Sequence, residues 1–246
     1  MLGALAQAPF FNGEKMRIQV ITPTIGTKHL QQAINSVTDQ TIDVEHLVVV
    51  DGRCDNEFVL NKNTKVIHLP ENTGHDGYNG HRVYAAFPML TDADYILFLD
   101  EDNWFEPDHV EKLVNFIQER DLQWAYSLRN IVSQTGKFVI PDNCESLGIW
   151  PSIFPPNHHF VDTNCYCFKR KYLMRHSYHF FGSHFYMDRL FYGEMVKLLP
   201  EFDCNGEHTI NYRVRPHHEA MHLQGNKATL EHYKGNYPWT KNQKSL

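Results

Sequence analysis

The chain has no long apolar run. Its longest clean stretches are Leu47–Val50 and Tyr95–Leu99, far short of the roughly 18 residues a membrane-spanning helix requires. Cysteine is scarce. Cys54, Cys144, Cys165, Cys167 and Cys204 are odd in number and scattered, which argues against a disulfide framework and for a reducing compartment. Cys165-x-Cys167 lacks a second pair at zinc-site spacing, so a structural zinc is not expected. No Asn-x-Ser/Thr sequon occurs. A basic surplus is also missing. The 23 Lys and Arg stand against 29 Asp and Glu, a formal net charge of −6, which speaks against a nucleic-acid partner. Nor is the composition that of a disordered chain. Hydrophobic residues make up 42% and charged residues 21% of 246, enough to bury the core of one large domain or two small ones. There is no low-complexity linker and no internal repeat.

The first 15 residues carry no basic n-region, so a signal peptide is not expected. They read as an extension, and Met16 is a natural start for the strand that follows. From there, strand and helix signals alternate. Arg17–Thr22, His46–Val50, Lys65–Leu69 and Asp94–Leu99 read as strands, the second and fourth almost wholly apolar. Between them, Lys28–Val37 carries a helical stripe of Leu30, Ala33, Ile34 and Val37, with Thr27 as the expected N-cap. Asp76–Leu90 reads as one helix after a polar turn. Pro107–Arg120 is the clearest helix, with Pro in the first turn and Val110, Leu113, Val114 and Ile117 on one face.

This alternation predicts an α/β fold with a mostly parallel central sheet and helices on both faces. In such sheets ligands collect outside the carboxyl ends of the strands. Thr22-Pro23-Thr24, Asp51 and Asp100-x-Asp102 come from three strands and are expected to meet at that edge. The second half is less regular. Gln123–Ser127, Lys137–Ile140, Phe160–Lys169 and Thr209–Val214 read as strands and His184–Leu199 as a helix. Residues 141–156 read as a lid or binding loop, and 225–246 as a polar tail.

Asp100-Glu101-Asp102 is the strongest chemical signal. Residues two apart on an extended strand point the same way, so both carboxylates can approach one cation. Hard oxygen ligands suit Mg²⁺ or Mn²⁺, which keep open positions for substrate phosphates. The alternative is a solvated acidic turn before a helix, which the preceding YILFL run makes less apt.

Val20–Thr24 (VITPT), His46–Gly52 (HLVVVDG), Glu71–Gly74 (ENTG), Tyr95–Asp102 (YILFLDED) and Met187-Asp188 follow one another in an order that resembles the family 2 glycosyltransferases over residues 17–220. The resemblance implies a GT-A-type nucleotide-sugar-binding fold and inverting transfer from a UDP-, GDP- or dTDP-sugar, with Mn²⁺ or Mg²⁺. The implied acceptor is a saccharide or lipid-linked saccharide. The implied setting is the cytoplasm, with room for contact at the inner face of a membrane. It divides the chain into an extension (1–15), a catalytic domain (16–224, with a nucleotide-binding half 16–120 and an acceptor-binding half 121–224) and a tail (225–246).

Carried onto this chain, the resemblance puts Pro23, Thr24, Asp51, Asp100 and Glu101 around the nucleotide. Asp102, with Asp100, holds the metal, and His217 and His218 are further candidate ligands. The family's usual Arg-Asn pair after the Asn-x-Gly turn is absent, leaving Asn79 or Arg82 for the phosphate contact. Asp188 falls at the family's general base, while Met187 replaces the acid before it. A carboxylate near the acceptor hydroxyl can take its proton; the structural alternative is an Asp favoured by the helix dipole. Trp150, Asp162, Thr163 and Asn164 are the candidate acceptor-binding residues, with Trp150 equally suited to a core. Two other readings stand beside the enzyme: a non-catalytic nucleotide-sugar-binding protein on the same fold, and, less favoured, a sugar nucleotidyltransferase. The latter calls for a glycine-rich basic loop after the first strand, where this chain has the single Gly26.

Overall fold

The computed structural model describes residues 10–11, 14–153, 156–183 and 186–240. Most of the expected arm, the loop residues Phe154 and Pro155, His184 and Phe185 of the expected helix, and residues 241–246 lie outside them. Two short strands, β1 (Phe10–Phe11) and β2 (Glu14–Lys15), pair antiparallel.

The main sheet is built on β3 (Ile18–Thr24), β4 (Glu45–Asp51), β5 (Thr64–Leu69) and β6 (Tyr95–Phe98), all parallel in the order β5-β4-β3-β6. Every residue of β3 and β6 is buried, as strands covered on both faces require. Helix α1 (Leu30–Thr38) packs through Leu30, Ala33, Ile34 and Val37, and α3 (His109–Glu119) through Val110, Leu113, Val114 and Ile117, the stripes read from the sequence. Thr27 sits slightly outside its expected capping position. His29 is at the N-cap, while the Thr27 carbonyl accepts from Leu30 N.

The second half departs from the expected parallel arrangement. Strand β10 (Tyr166–Lys169) inserts between β6 and β8 (Trp124–Val132), antiparallel to both. Strand β11 (Phe202–Arg213) is parallel to β8, while β7 (Trp104–Phe105) and β9 (Phe138–Pro141) add antiparallel edges. The nine-stranded sheet is therefore mixed. Antiparallel neighbours need no helical crossover, so the loop between β9 and β10 is free to fold over the strand ends. Trp124 anchors this half, its ring stacked on Phe202 at 4.2 Å between centroids.

Three other expectations shift. The helix expected at 76–90 is broken by the left-handed residues Asp76 and Asn79, giving a one-turn 3-10 segment and then α2 (His81–Leu90). Of 160–169 only the last four residues are strand, because the Asp162 side chain accepts from Asn164 N and starts a turn at Thr163–Cys165. The tail does not begin at 225. Helix α6 (Pro216–Tyr233) runs through that position. Helices α4 (Arg170–Leu173) and α5 (Met187–Leu198) complete the fold.

Candidate active site

A cavity of ≈ 780 Å³ opens at the carboxyl ends of β3, β4 and β6. Its walls are set by short polar ties between these strand ends. Asp51 closes β4, and its two carboxylate oxygens accept from Thr73 N (2.7 Å) and Gly74 N (2.8 Å), which fixes the Glu71–Gly74 turn. That turn needs glycine at 74, where an added Cβ would lie 2.3 Å from the Asn79 carbonyl oxygen. Glu101 braces the opposite loop, accepting from Thr24 Oγ1 (2.5 Å) and Thr27 N (2.8 Å).

Asp100 is held on three sides. Its Oδ1 accepts from the Tyr84 hydroxyl (2.6 Å), its Oδ2 accepts from Asn164 Nδ2 (2.8 Å), and its backbone N donates to Asn164 Oδ1 (2.6 Å). Burial, reinforced by Asp102 and Asp162, pushes its carboxyl up to about 7. Burial also raises Asp102. The Arg213 guanidinium donates to the backbone carbonyls of Asp102 and Gln134 and to Gln32 Oε1, and Asp102 lines the cavity. The carboxylates of Asp100, Glu101 and Asp102 line one cavity, an oxygen-rich set whose chemistry fits a hard divalent cation. His29 and His218 line the same cavity.

The far wall is built around Arg129, buried on β8. Its guanidinium donates to Asp142 (2.8 Å), Asp162 (2.6 Å) and Glu145 (3.0 Å) and lies 4.1 Å from the Tyr212 ring centroid. Glu145 also accepts from Arg189 (3.3 Å). Beside Arg189, at the start of α5, Asp188 faces the cavity. Burial lifts its carboxyl to about 6, Arg189 opposing the rise and Asp162 adding to it.

The cavity thus brings together Pro23, Thr24, Asp51, Asn79, Asp100, Glu101, Asp102, Asp162, Thr163, Asp188 and His218. Four expected residues do not line it. Arg82 lies over the Tyr78 ring, 3.7 Å from its centroid. His217 is exposed beside His218. Trp150 packs against Trp239. Asn164 is buried behind the wall and acts through Asp100 and Asp162. Tyr84, Arg129, Glu145, Arg189, Tyr212 and His222 line the cavity although no sequence motif pointed to them. Of these only Arg129 left a clear trace, a lone cation inside the apolar stretch Trp124–Val132.

Residues 19–176 match the Glycosyl transferase family 2 model. The chain belongs to that family. Its sheet has the GT-A glycosyltransferase architecture. The "Putative teichuronic acid biosynthesis glycosyltransferase TuaG" of Bacillus subtilis (strain 168) is 25% identical over 134 residues, 50% of this chain and 50% of its own length. Protein CgeD of the same organism is 28% identical over 135 residues, 49% of this chain and 30% of its own. The chain thus spans half or less of the length of these curated relatives. In fold it is similar to S. aureus TarS 1-349 in complex with UDP, with a TM-score of 0.59 and 16% identity, covering 92% of this chain and 68% of that one. The TarS complex with UDP-GlcNAc gives 0.57 and 17%, covering 81% and 59%.

Proposed function

We propose that this family 2 glycosyltransferase moves a sugar from a UDP-linked donor to a hydroxyl of a saccharide or lipid-linked saccharide, with inversion and with a divalent metal. The observation that carries the reading is the convergence of Asp51, Asp100, Asp102 and Asp188 on one ≈ 780 Å³ cavity. UDP is favoured among the nucleotides because the TarS structures of the same fold hold UDP and UDP-GlcNAc. TuaG, named for teichuronic acid biosynthesis, favours a cell-wall polymer or its precursor as acceptor.

In this reading Pro23, Thr24 and the Asp51-pinned turn cradle the nucleoside, while Asn79 stands at the turn nearest the phosphates. Asp102, with Asp100 and His218 on the same cavity, would hold Mn²⁺ or Mg²⁺, which would supply positive charge to offset the negative charge of the leaving diphosphate. Tyr84 and Asn164 orient Asp100 by donating to both its oxygens. Asp188 is ionised above about pH 6 and takes the acceptor's proton. The acceptor oxygen bonds the anomeric carbon as the bond from that carbon to the diphosphate oxygen breaks. The electron pair leaves with the diphosphate, and the carbon inverts. The proposed setting is the cytoplasm or the inner face of a membrane, in keeping with five free thiols. No helix among the described residues is long and apolar enough to cross a membrane.

The test is a set of thermal shifts with UDP-, GDP- and dTDP-sugars in the presence and absence of Mn²⁺, followed by release of nucleoside diphosphate on adding saccharide acceptors. A native-state ligand raises apparent stability. Metal-dependent binding and turnover of a UDP-sugar support the reading. Binding without turnover of any donor points to the non-catalytic alternative.

A further inference from the structure

Helix α6 docks in an unusual way. Its buried positions are His222, Gly225, Asn226 and Thr229, spaced i, i+3, i+4, i+7 as a core-facing stripe should be, yet none is a large apolar residue. Its apolar side chains Met221, Leu223 and Leu230 are 40%, 45% and 52% exposed. Hydrophobic packing holds the helix chiefly at its last residue, Tyr233, which lies against the core, while His218, Met221 and His222 form part of the cavity wall.

Where α6 meets the loop after β9, three side chains converge. Cys144 Sγ is 3.4 Å from Asp142 Oδ1 and 3.6 Å from His222 Nδ1, and His222 Nδ1 is 3.6 Å from Asp142 Oδ1. All three residues are buried. Tetrahedral zinc with bonds of about 2.0–2.3 Å sets sulfur, nitrogen and oxygen ligands roughly 3.4–3.6 Å apart, the triangle seen here. A hydrogen-bonded His–Asp pair would close to about 2.8 Å instead. Arg129 takes the other oxygen of Asp142, Oδ2, while Cys144 N and Glu145 N orient Oδ1. On its far side His222 Nε2 faces Glu145 Oε2 at 4.0 Å, where ligating histidines commonly have a carboxylate.

We propose that Asp142, Cys144 and His222 form a second metal site, distinct from the Asp102 carboxylate, that takes a thiolate-binding divalent ion of the zinc type and clamps α6 to the 142–145 loop. Sulfur and imidazole select such an ion over Mg²⁺ and Mn²⁺, which favour oxygen. As the metal–sulfur bond forms, the Cys144 thiol proton passes to solvent. The ion's two positive charges are then balanced by the thiolate and Asp142. Three protein ligands leave a fourth position for water, reached from the cavity that His222 lines. The proposal does not depend on sugar transfer.

The experiment is a cobalt titration of the purified chain, followed by sulfur-to-cobalt charge-transfer absorption. The folded wild type should saturate at one equivalent, Zn²⁺ should abolish the band, and Mg²⁺ should leave it. Cys144→Ser should lose the band, while Cys54→Ser and Asp102→Asn keep it. Zinc should raise the melting temperature of the wild type and not that of His222→Gln. A folded wild type that shows no charge-transfer band overturns the proposal without recourse to any variant, and so does a band that survives Cys144→Ser.

Discussion

Asn164 grips Asp100 from both ends, its Oδ1 accepting from the Asp100 backbone N at 2.6 Å and its Nδ2 donating to Asp100 Oδ2 at 2.8 Å. One side chain on the β10 side of the sheet therefore sets both the backbone and the carboxylate of the acidic strand end. Asn164→Ala should orphan two polar groups next to the cavity. At roughly 1–3 kcal/mol per buried unsatisfied group, urea unfolding should show a loss of about 2–6 kcal/mol. Nucleotide affinity in Mn²⁺ should fall with it. An unchanged unfolding midpoint would remove Asn164 as the support of Asp100.

Asp102 and Glu101 are neighbours with opposite expectations. Burial raises the Asp102 carboxyl, so its charge at neutral pH costs stability. Asp102→Asn should therefore melt no lower than the wild type while losing metal-dependent UDP binding. Glu101 ties down the Thr24–Thr27 loop. Glu101→Ala should lower stability by about 1.5–3 kcal/mol, the scale of hydrogen bonds to a charged group. Paired melting curves and calorimetric titrations with UDP and Mn²⁺ check both. A large drop in the melting temperature of Asp102→Asn would show its carboxylate to be structural.

The two acidic strand ends could be read from the sequence because each follows an apolar strand and so has only one place to go. Asp51 follows HLVVV and Asp100 follows YILFL, and both reach the same edge. Arg129 is harder to read because its partners, Asp142, Glu145 and Asp162, lie on loops whose path no local periodicity fixes. Helix α6 escapes for a different reason. Its buried stripe has helical spacing but polar identity, so a search for apolar recurrence passes over His222, Gly225, Asn226 and Thr229. The parallel bias of the first half likewise gives no sign that β10 enters antiparallel. That placement depends on the loop before it, and that loop carries Asp162 and Asn164 into the site.

Arg129 is the common counterion of Asp142, Glu145 and Asp162. Arg129→Met should leave Asp142 and Asp162 without their cation and Glu145 with Arg189 alone, and removing one partner from a buried ion pair costs about 3–5 kcal/mol. Arg129→Lys should fare little better, since a single ammonium cannot meet three carboxylates as a planar guanidinium does. Chemical denaturation of both variants checks this. A lysine variant as stable as the wild type would mean that charge alone, and not the fork, organises this wall.

The Gly80 Cα lies against the cavity wall so closely that an added Cβ would fall 2.5 Å from Pro23 Cγ. Gly80→Ala should push Pro23 into the space proposed for the nucleoside. The expected signature is a several-fold rise in the donor's KM with a smaller change in kcat, because ground-state binding is what is disturbed. Equal KM values for the variant and wild type would place the donor elsewhere.

Asp188 links stability and activity through one proton. Its folded-state carboxyl is raised to about 6 from the usual 3.8, chiefly by burial. A carboxyl raised on folding contributes stability that is complete below its unfolded value and is lost as pH climbs through the folded one. The wild type should therefore lose stability between about pH 4 and 6. A tenfold change in proton affinity corresponds to about 1.4 kcal/mol, which bounds the loss near 3 kcal/mol, and partial exposure should bring it to about 1–2. Asp188→Asn should lack this share of the slope, keeping that of Asp100, whose carboxyl burial pushes up to about 7, and should be the more stable protein above pH 6. Turnover should run the other way. As general base, Asp188 must be ionised, so kcat/KM should rise through an acid limb near pH 6 and be lost in Asp188→Asn, while UDP binding survives. Urea unfolding at pH 5 and pH 7.5, set beside the pH–rate profile, reads both. A flat profile across that range, or normal turnover by Asp188→Asn, would take the proton-accepting role away from this residue.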